Sequence, residues 1–179
     1  MKKQRFEIIK RKNKSIVIKR KKLSDTRGFL ERLFCKKEFN KILGKKEIVQ
    51  INRSLTKKRG TIRGMHYQVG SSVEDKIITC IKGKVYDVIV DLRKKSKTFL
   101  KSYSFILDQK KNTSIFVPAG FAHGFQTLTD NCELIYFHTN YYNFKKSKTL
   151  NYLDPKLKIS WPIKTTSISK KDKKQNFIS

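Results

Sequence analysis

The chain is short of acidic side chains. Fourteen Asp and Glu stand against 43 Lys and Arg, a formal net charge of +29. A field of that size draws nucleic acid, anionic lipid or an acidic small substrate. Yet 34 of the 43 are Lys, scattered in twos and threes from Lys2 to Lys174, and Arg, the better reader of bases and phosphates, is scarce. That distribution argues for a solvated Lys-rich surface and against a nucleic-acid binder. Cysteine is scarce as well: Cys35, Cys80 and Cys132 are odd in number, far apart and without a CxxC pair. This excludes a disulfide framework and a zinc site and leaves reduced, buried thiols. No apolar run reaches the length of a signal peptide or of a membrane span, so a cytoplasmic protein without a membrane partner is expected.

What is present reads as β-structure. At 179 residues the expectation is one domain, residues 1–179, burying roughly 70% of its unfolded surface. Short apolar pieces between Phe6 and Ile18 alternate with Lys and Arg, as in edge strands. Asp25 to Gly28 reads as a turn and Phe29 to Phe34 as a strand. Phe39, Ile42 and Leu43 fall at helical spacing with Gly44 as a stop, which predicts one short helix. Ile48 to Leu55 and Thr61 to Gln68 extend around a turn at Lys57 to Gly60. Lys76 to Arg93 predicts a hairpin turning at Lys82-Gly83. Its return strand sets Tyr86, Val88, Val90 and Leu92 on one face and Val85, Asp87, Ile89 and Asp91 on the other, the pattern of a sheet wet on one side. Further strands are predicted at Leu100 to Leu107, Thr113 to Val117, Phe121 to Leu128 and Cys132 to Thr139. Many short strands with turns between them indicate a sandwich or barrel. Trp161-Pro162 offers an anchor for the polar C-terminal part, whereas Thr165 to Ser179 has the composition of a disordered tail.

The chain has only three histidines, and two of them, His66 and His123, sit beside glycine in strand-like surroundings. Each, taken alone, reads as a satisfied barrel histidine rather than a catalyst; the pair shifts that reading toward a general base. Arg63 and Lys76 offer fixed positive charge for a phosphate or a developing oxyanion, and Tyr136 offers a phenol that can return a proton. Base, acid and cation together suit proton abstraction next to a carbonyl. Arg63 and His66 are three residues apart on one strand, hence nominally on opposite faces. For both to reach one substrate, Gly64 between them must allow a bulge or local twist.

Gly60 with His66 six residues on, and Pro118-x-Gly120-x-x-His123, resemble the two signature motifs of the cupin β-barrels. Metal-binding cupins carry His-x-His and a following Glu; here Gln68 takes the second place and Glu74 comes late. Two imidazoles are too few for a closed metal site, so neither metal nor other cofactor is expected. The fold implied is all-β, a cupin-type jelly-roll barrel with a few short helices.

A more specific likeness follows. Asp25-x-Arg27-Gly28-Phe29, Gln50-x-Asn52, Arg63-Gly64-x-His66-Tyr67-Gln68, Val88-x-Val90-Asp91-Leu92-Arg93, Gly120 to Phe125, Asp154-Pro155 and Trp161-Pro162 resemble, in order, the dTDP-4-dehydrorhamnose 3,5-epimerase family. The resemblance implies epimerisation of a nucleotide-linked 4-keto-6-deoxyhexose at C3, C5 or both. It implies His66 as base, Tyr136 as acid, Lys76 stabilising charge on O4, and Asp172, in Ser169-Lys170-Lys171-Asp172, as partner to His66. Residues 164–179 then become a strap folded back on the barrel. Arg63 is implied at the diphosphate, His123 at the sugar, and Arg27, Gln50, Asn52, Tyr142 and Lys171 at further substrate contacts, in a homodimer whose subunits share pocket residues. Arg32 and Ser147 stand where the family has acidic residues, with Glu31 one place early, which leaves the nucleotide and the sugar open. The alternatives are a mono-epimerase or ketoisomerase acting on another nucleotide sugar, such as a CDP-linked one, and a binding module for sugar nucleotides or nucleic acid.

Overall fold

The computed structural model describes residues 5–12 and 14–178, so the first four residues and the last of the expected domain, and the final residue of the expected strap, lie outside it. Strands β1 (Phe6–Lys12), β2 (Ser15–Arg20), β3 (Lys22–Asp25) and β4 (Gly28–Glu31) precede helix α1 (Lys36–Leu43). Then come β5 (Gln50–Thr56), β6 (Thr61–Gln68), β7 (Lys76–Lys82), β8 (Lys84–Asp91), β9 (Ser102–Asp108), β10 (Thr113–Val117), β11 (Phe121–Thr127) and β12 (Cys132–His138). The C-terminal part adds β13 (Ser147–Thr149), β14 (Ser167–Ile168) and the single turn α2 (Lys170–Lys173).

One sheet runs β1-β2-β10-β7-β12-β5 and a second β13-β6-β11-β8-β9, with β14 beside β6 and β3–β4 forming a separate hairpin. Side chains of both sheets, among them Ile78, Leu134, Ile89, Phe105, Ile115 and Phe125, interdigitate between them, as in a jelly-roll barrel of the cupin type. The strands expected at 61–68, 113–117, 121–128 and 132–139 fall at β6, β10, β11 and β12.

Four expectations are corrected. The hairpin expected over Lys76 to Arg93 is not formed: β7 pairs with β10 and β12 in the first sheet and β8 with β11 and β9 in the second, so Lys82-Gly83 carries the chain from one sheet to the other. The β8 sheet is dry on both sides: Val88 and Val90 are buried under Leu157, Ile159 and Trp161, because the C-terminal segment covers the second sheet as α1 covers the first. The strand expected over Phe29 to Phe34 ends at Glu31. From there the chain turns inward to set the Phe34 ring 5.3 Å from Phe39 and 5.7 Å from Phe137. Finally, 147–149 and 167–168, which look irregular by composition, pair with β6. Partner strands rather than propensity create these two short pieces.

The predicted helix is α1, with Phe39 and Leu43 buried and Gly44 at φ 62° closing it by donating to the Asn40 carbonyl. Trp161 anchors as expected, its indole N–H donating to the Tyr152 carbonyl at 3.0 Å. Cys35, Cys80 and Cys132 are free thiols, the last two buried. Burial pushes the Cys80 thiol up to about 12, so it is inert at neutral pH. Among the described residues no helix is long and apolar enough to cross a membrane.

Candidate active site

The two sheets part at one end around a cavity of about 320 Å³, lined by residues of both. From the second sheet come Arg63, His66 and His123; from the first, Asn52, Ser54, Lys76, Tyr136 and His138; from the C-terminal part, Tyr142, Ser147 and Lys171.

Strand register explains the grouping. His66 on β6 faces His123 on β11, and Arg63 faces Phe125, so three steps on β6 match two on β11. That is a bulge, and it falls at Gly64, whose φ is 133° and whose peptide to Met65 is cis. The extra residue returns Arg63 to the side of the sheet that carries His66, as the sequence required. Across the cavity Tyr136 pairs with Asn52 and His138 with both Lys76 and Gln50. The period of two then puts all five side chains on one sheet face.

His66 Nε2 lies 2.7 Å from Asp172 Oδ1. The Asp172 side chain is 3% exposed and that of His66 42%, so a buried carboxylate holds a ring that reaches into the cavity. Burial pushes the Asp172 carboxyl up, but the hydrogen bond from His66, the His66 charge and the Gly64 N–H outweigh it and hold it below the usual carboxylate range. An ionised carboxylate only accepts, so Nε2 carries the proton and Nδ1 is left as the basic nitrogen. Local sequence delivers Asp172: β14 runs parallel to β6 at Thr61 and Ile62, and Ser169 caps the following turn by accepting from the Asp172 N–H at 3.0 Å.

His123 repeats the device. Its Nε2 is 2.7 Å from Oδ2 of Asp87, which is fully buried and pushed up by that burial against the pull of His123. The Tyr136 ring stands edge-on to His123 at 6.2 Å and burial pushes its phenol well above the ordinary value, so it stays protonated at neutral pH. Lys76 Nζ lies 3.0 Å from Glu74 Oε1. The arrangement is a base on one wall, with a protonated phenol and an ammonium on the other. It can take a proton from one side of a bound molecule and return one from the opposite side.

Most of the residues expected from sequence meet here. Gln50 stands just outside the lining, held to Asn52 at 3.2 Å and accepting from the Tyr142 N–H at 3.0 Å. Arg27 is not brought to the cavity within this chain: it sits at the exposed tip of the β3–β4 hairpin, paired with Asp25 at 2.6 Å. Arg32 pairs with Glu38 and Glu31 with the buried Arg20, so neither faces the cavity. Sequence reasoning missed Asp87, Glu74, Ser54 and His138. Asp87 was visible as a lone carboxylate between apolar Val85 and Ile89, and His138 as the neighbour of Tyr136 two residues along one strand.

The family model described as dTDP-4-dehydrorhamnose 3,5-epimerase matches residues 12–179. The dTDP-4-dehydrorhamnose 3,5-epimerase of Shigella flexneri is 36% identical over 158 residues, 88% of this chain and 87% of that one. A dTDP-6-deoxy-D-glucose-3,5-epimerase from Legionella pneumophila, solved in complex with dTDP-4-keto-L-rhamnose, superposes with a TM-score of 0.90 at 33% identity, covering 96% of this chain and 92% of that one. The Bacillus anthracis dTDP-4-dehydrorhamnose 3,5-epimerase, solved with TDP and PPi bound, gives 0.91 at 32% identity over 97% and 99% of the two chains.

Proposed function

The chain belongs to the dTDP-4-dehydrorhamnose 3,5-epimerase family, and from that membership we propose how its own residues carry the reaction. The enzyme is an isomerase that inverts a nucleotide-linked 4-keto-6-deoxyhexose next to its carbonyl. Hydrogens on C3 and C5 flank the C4 ketone, so loss of either gives an enolate, and reprotonation from the other face inverts the centre. His66 takes the proton at Nδ1, with Asp172 fixing the tautomer and stabilising the imidazolium. Tyr136 returns a proton from the opposite wall, and Lys76 meets the charge gathering on O4. His123, oriented by Asp87, holds the sugar, Arg63 the diphosphate, and Lys171, Tyr142, Asn52 and Gln50 the nucleotide end. The observation that carries this reading is the opposition of the His66–Asp172 pair to Tyr136 across one cavity.

The substrate is dTDP-4-dehydro-6-deoxyglucose. The protein works in the cytoplasm, where its free thiols stay reduced, as one domain whose C-terminal strap completes the site. It works as a homodimer. Phe29 and Leu30 on the β3–β4 hairpin are 62% and 70% exposed, and Ile51 and Leu55 on the edge strand β5 are 59% and 46% exposed, an apolar surface suited to a second copy. That copy also brings Arg27 within reach of a cavity it does not reach in its own chain.

Incubation with dTDP-4-dehydro-6-deoxyglucose in deuterated water tests the reading. Deuterium enters at C3 and C5; absence of label at both refutes it, and label at one carbon alone makes the enzyme a mono-epimerase. His66→Ala abolishes exchange, and Tyr136→Phe lowers epimerisation more than exchange. Full activity in His66→Ala refutes the base.

A further inference from the structure

We infer that His138, whose ring also stacks beside that of Tyr136 with centroids 6.1 Å apart, is a positioning residue that acts through Glu74 to keep the Lys76 ammonium aimed into the cavity. The inference rests on the role proposed above for Lys76. It starts from a continuous hydrogen-bond chain on the face of the first sheet. Glu74 Oε1 takes Lys76 Nζ at 3.0 Å and Oε2 takes His138 Nδ1 at 2.7 Å. His138 Nε2 is 3.4 Å from Asn52 Nδ2, Asn52 Oδ1 accepts from Gln50 at 3.2 Å, and Gln50 Oε1 accepts from the Tyr142 N–H at 3.0 Å.

The chain has one consistent polarity. The Tyr142 N–H can only donate, so Gln50 presents its oxygen there and its NH₂ to Asn52. Asn52 in turn presents its NH₂ to His138. Nε2 must then accept and Nδ1 must carry the proton, the tautomer the Glu74 carboxylate needs. Burial pushes Glu74 up, but the hydrogen bond from His138 and the charge of Lys76 prevail and hold it below the usual range. The side chains of Glu74, Lys76 and His138 are only 6%, 12% and 12% exposed, so little water competes.

This arrangement has a use. A buried carboxylate with a single cation partner would draw that ammonium fully onto itself. With His138 occupying one oxygen, Glu74 spends half its capacity elsewhere, and Lys76 keeps N–H groups free for an oxyanion. Strand register supplies the geometry, since His138 pairs with Lys76 on one side and Gln50 on the other.

The test is steady-state epimerisation of dTDP-4-dehydro-6-deoxyglucose by the intact enzyme and by His138→Phe, Lys76→Ala and the double variant. His138→Phe lowers kcat by roughly ten- to a hundredfold through misaiming of Lys76. KM stays within about threefold, because the lost interaction belongs to the transition state. In the Lys76→Ala background the same change costs less than about twofold, since residues acting through one group are not additive. Should His138→Phe not fold, Glu74→Gln, nearly the same shape, gives the same non-additive loss. A kcat within about twofold of wild type in the folded variant, or losses that multiply in the double variant, overturn the inference. A wild type that exchanges no deuterium sinks the epimerase reading and the inference with it. A normal wild type beside an undisturbed His138→Phe sinks the inference alone.

Discussion

Gly64→Ala is the sharpest test of how the fold holds the site. A Cβ at Gly64 would lie 2.5 Å from the Gly124 Cα and 3.0 Å from the His123 carbonyl oxygen. Carbon atoms rest at about 3.5–4.0 Å, so β6 and β11 must part by roughly 1 Å, and both obstacles are backbone that no rotamer change can remove. Overpacking of this kind costs about 1–3 kcal/mol, and an alanine held at the φ of +133° seen here costs about 1–3 kcal/mol more. The sum, about 2–6 kcal/mol, corresponds to a fall in Tm of roughly 5–20 °C for a domain of this size. Gly44→Ala is the control, since Gly44 also has positive φ (+62°) but nothing within 4 Å of its added Cβ. It bears the backbone part alone. Calorimetric melting of the three proteins separates the steric from the conformational cost. Arg63 and His66 flank the displaced residue, and a shift of about 1 Å at reacting groups costs on the order of a hundredfold in turnover. If Gly64→Ala melts no lower than Gly44→Ala, the close approach of the two strands is not what fixes the bulge, and the account of why Arg63 and His66 share a face fails.

Further outcomes follow from the site and the surface. Asp172→Asn lets an amide face His66 Nε2 and favours the wrong tautomer, so kcat falls by about 10³–10⁴-fold. The Asp172 carboxyl is held below its ordinary range in the folded protein, so its contribution to stability is full above about pH 4 and is lost as the pH falls through the folded value. Urea titrations from neutral to acid pH should therefore show a shallower acid slope in Asp172→Asn; an unchanged slope means the pair adds nothing to stability. Leu30→Asp places a charge in the proposed dimer surface, and sedimentation should find dimers for the wild type and monomers for the variant; a monomeric wild type refutes the shared pocket. With a net charge of +29 the enzyme should lose kcat/KM toward its anionic substrate as salt rises past the point where the Debye length is about 10 Å, near 0.1 M. A flat salt profile shows that the net field does not steer substrate.

What the sequence made legible was whatever has a local signature. Short extended stretches bounded by turn signals located β6, β10, β11 and β12 to within a residue, and the three-residue spacing of Arg63 and His66 required a bulge that the register with His123 and Phe125 contains. Neither β13 nor β14 could be read, because three and two polar-flanked residues carry no period of their own and become strands only when β6 offers its edge. The wet face expected for β8 failed for a related reason: Val88 and Val90 are covered by residues some seventy positions later, a relation invisible in a local window. Asp172 illustrates the limit from the other side. Its composition is that of a solvated charge in a Lys-rich tail, and only the family resemblance gave it a place near His66. Glu74 had no motif to announce it, since its meeting with His138 follows from the pairing of His138 with Lys76 across strands rather than from spacing.

Asp172 is also added late, 106 residues after the imidazole it pairs with. Chains are made from the N-terminus and fold as they emerge, so both sheets apart from β14, and the sheet walls of the cavity, can be in place before the strap exists. The scaffold does not need the strap for its central core, whose members end at Leu134. A chain cut after Ile168 would keep the two sheet walls of the cavity and the strand pairing of β14, yet lack Lys171 from the lining and the carboxylate that holds the ring of His66. Truncation before Asp172 would thus remove the partner that orients His66 while sparing the central core, and a nascent chain has no such pair until Asp172 has been added.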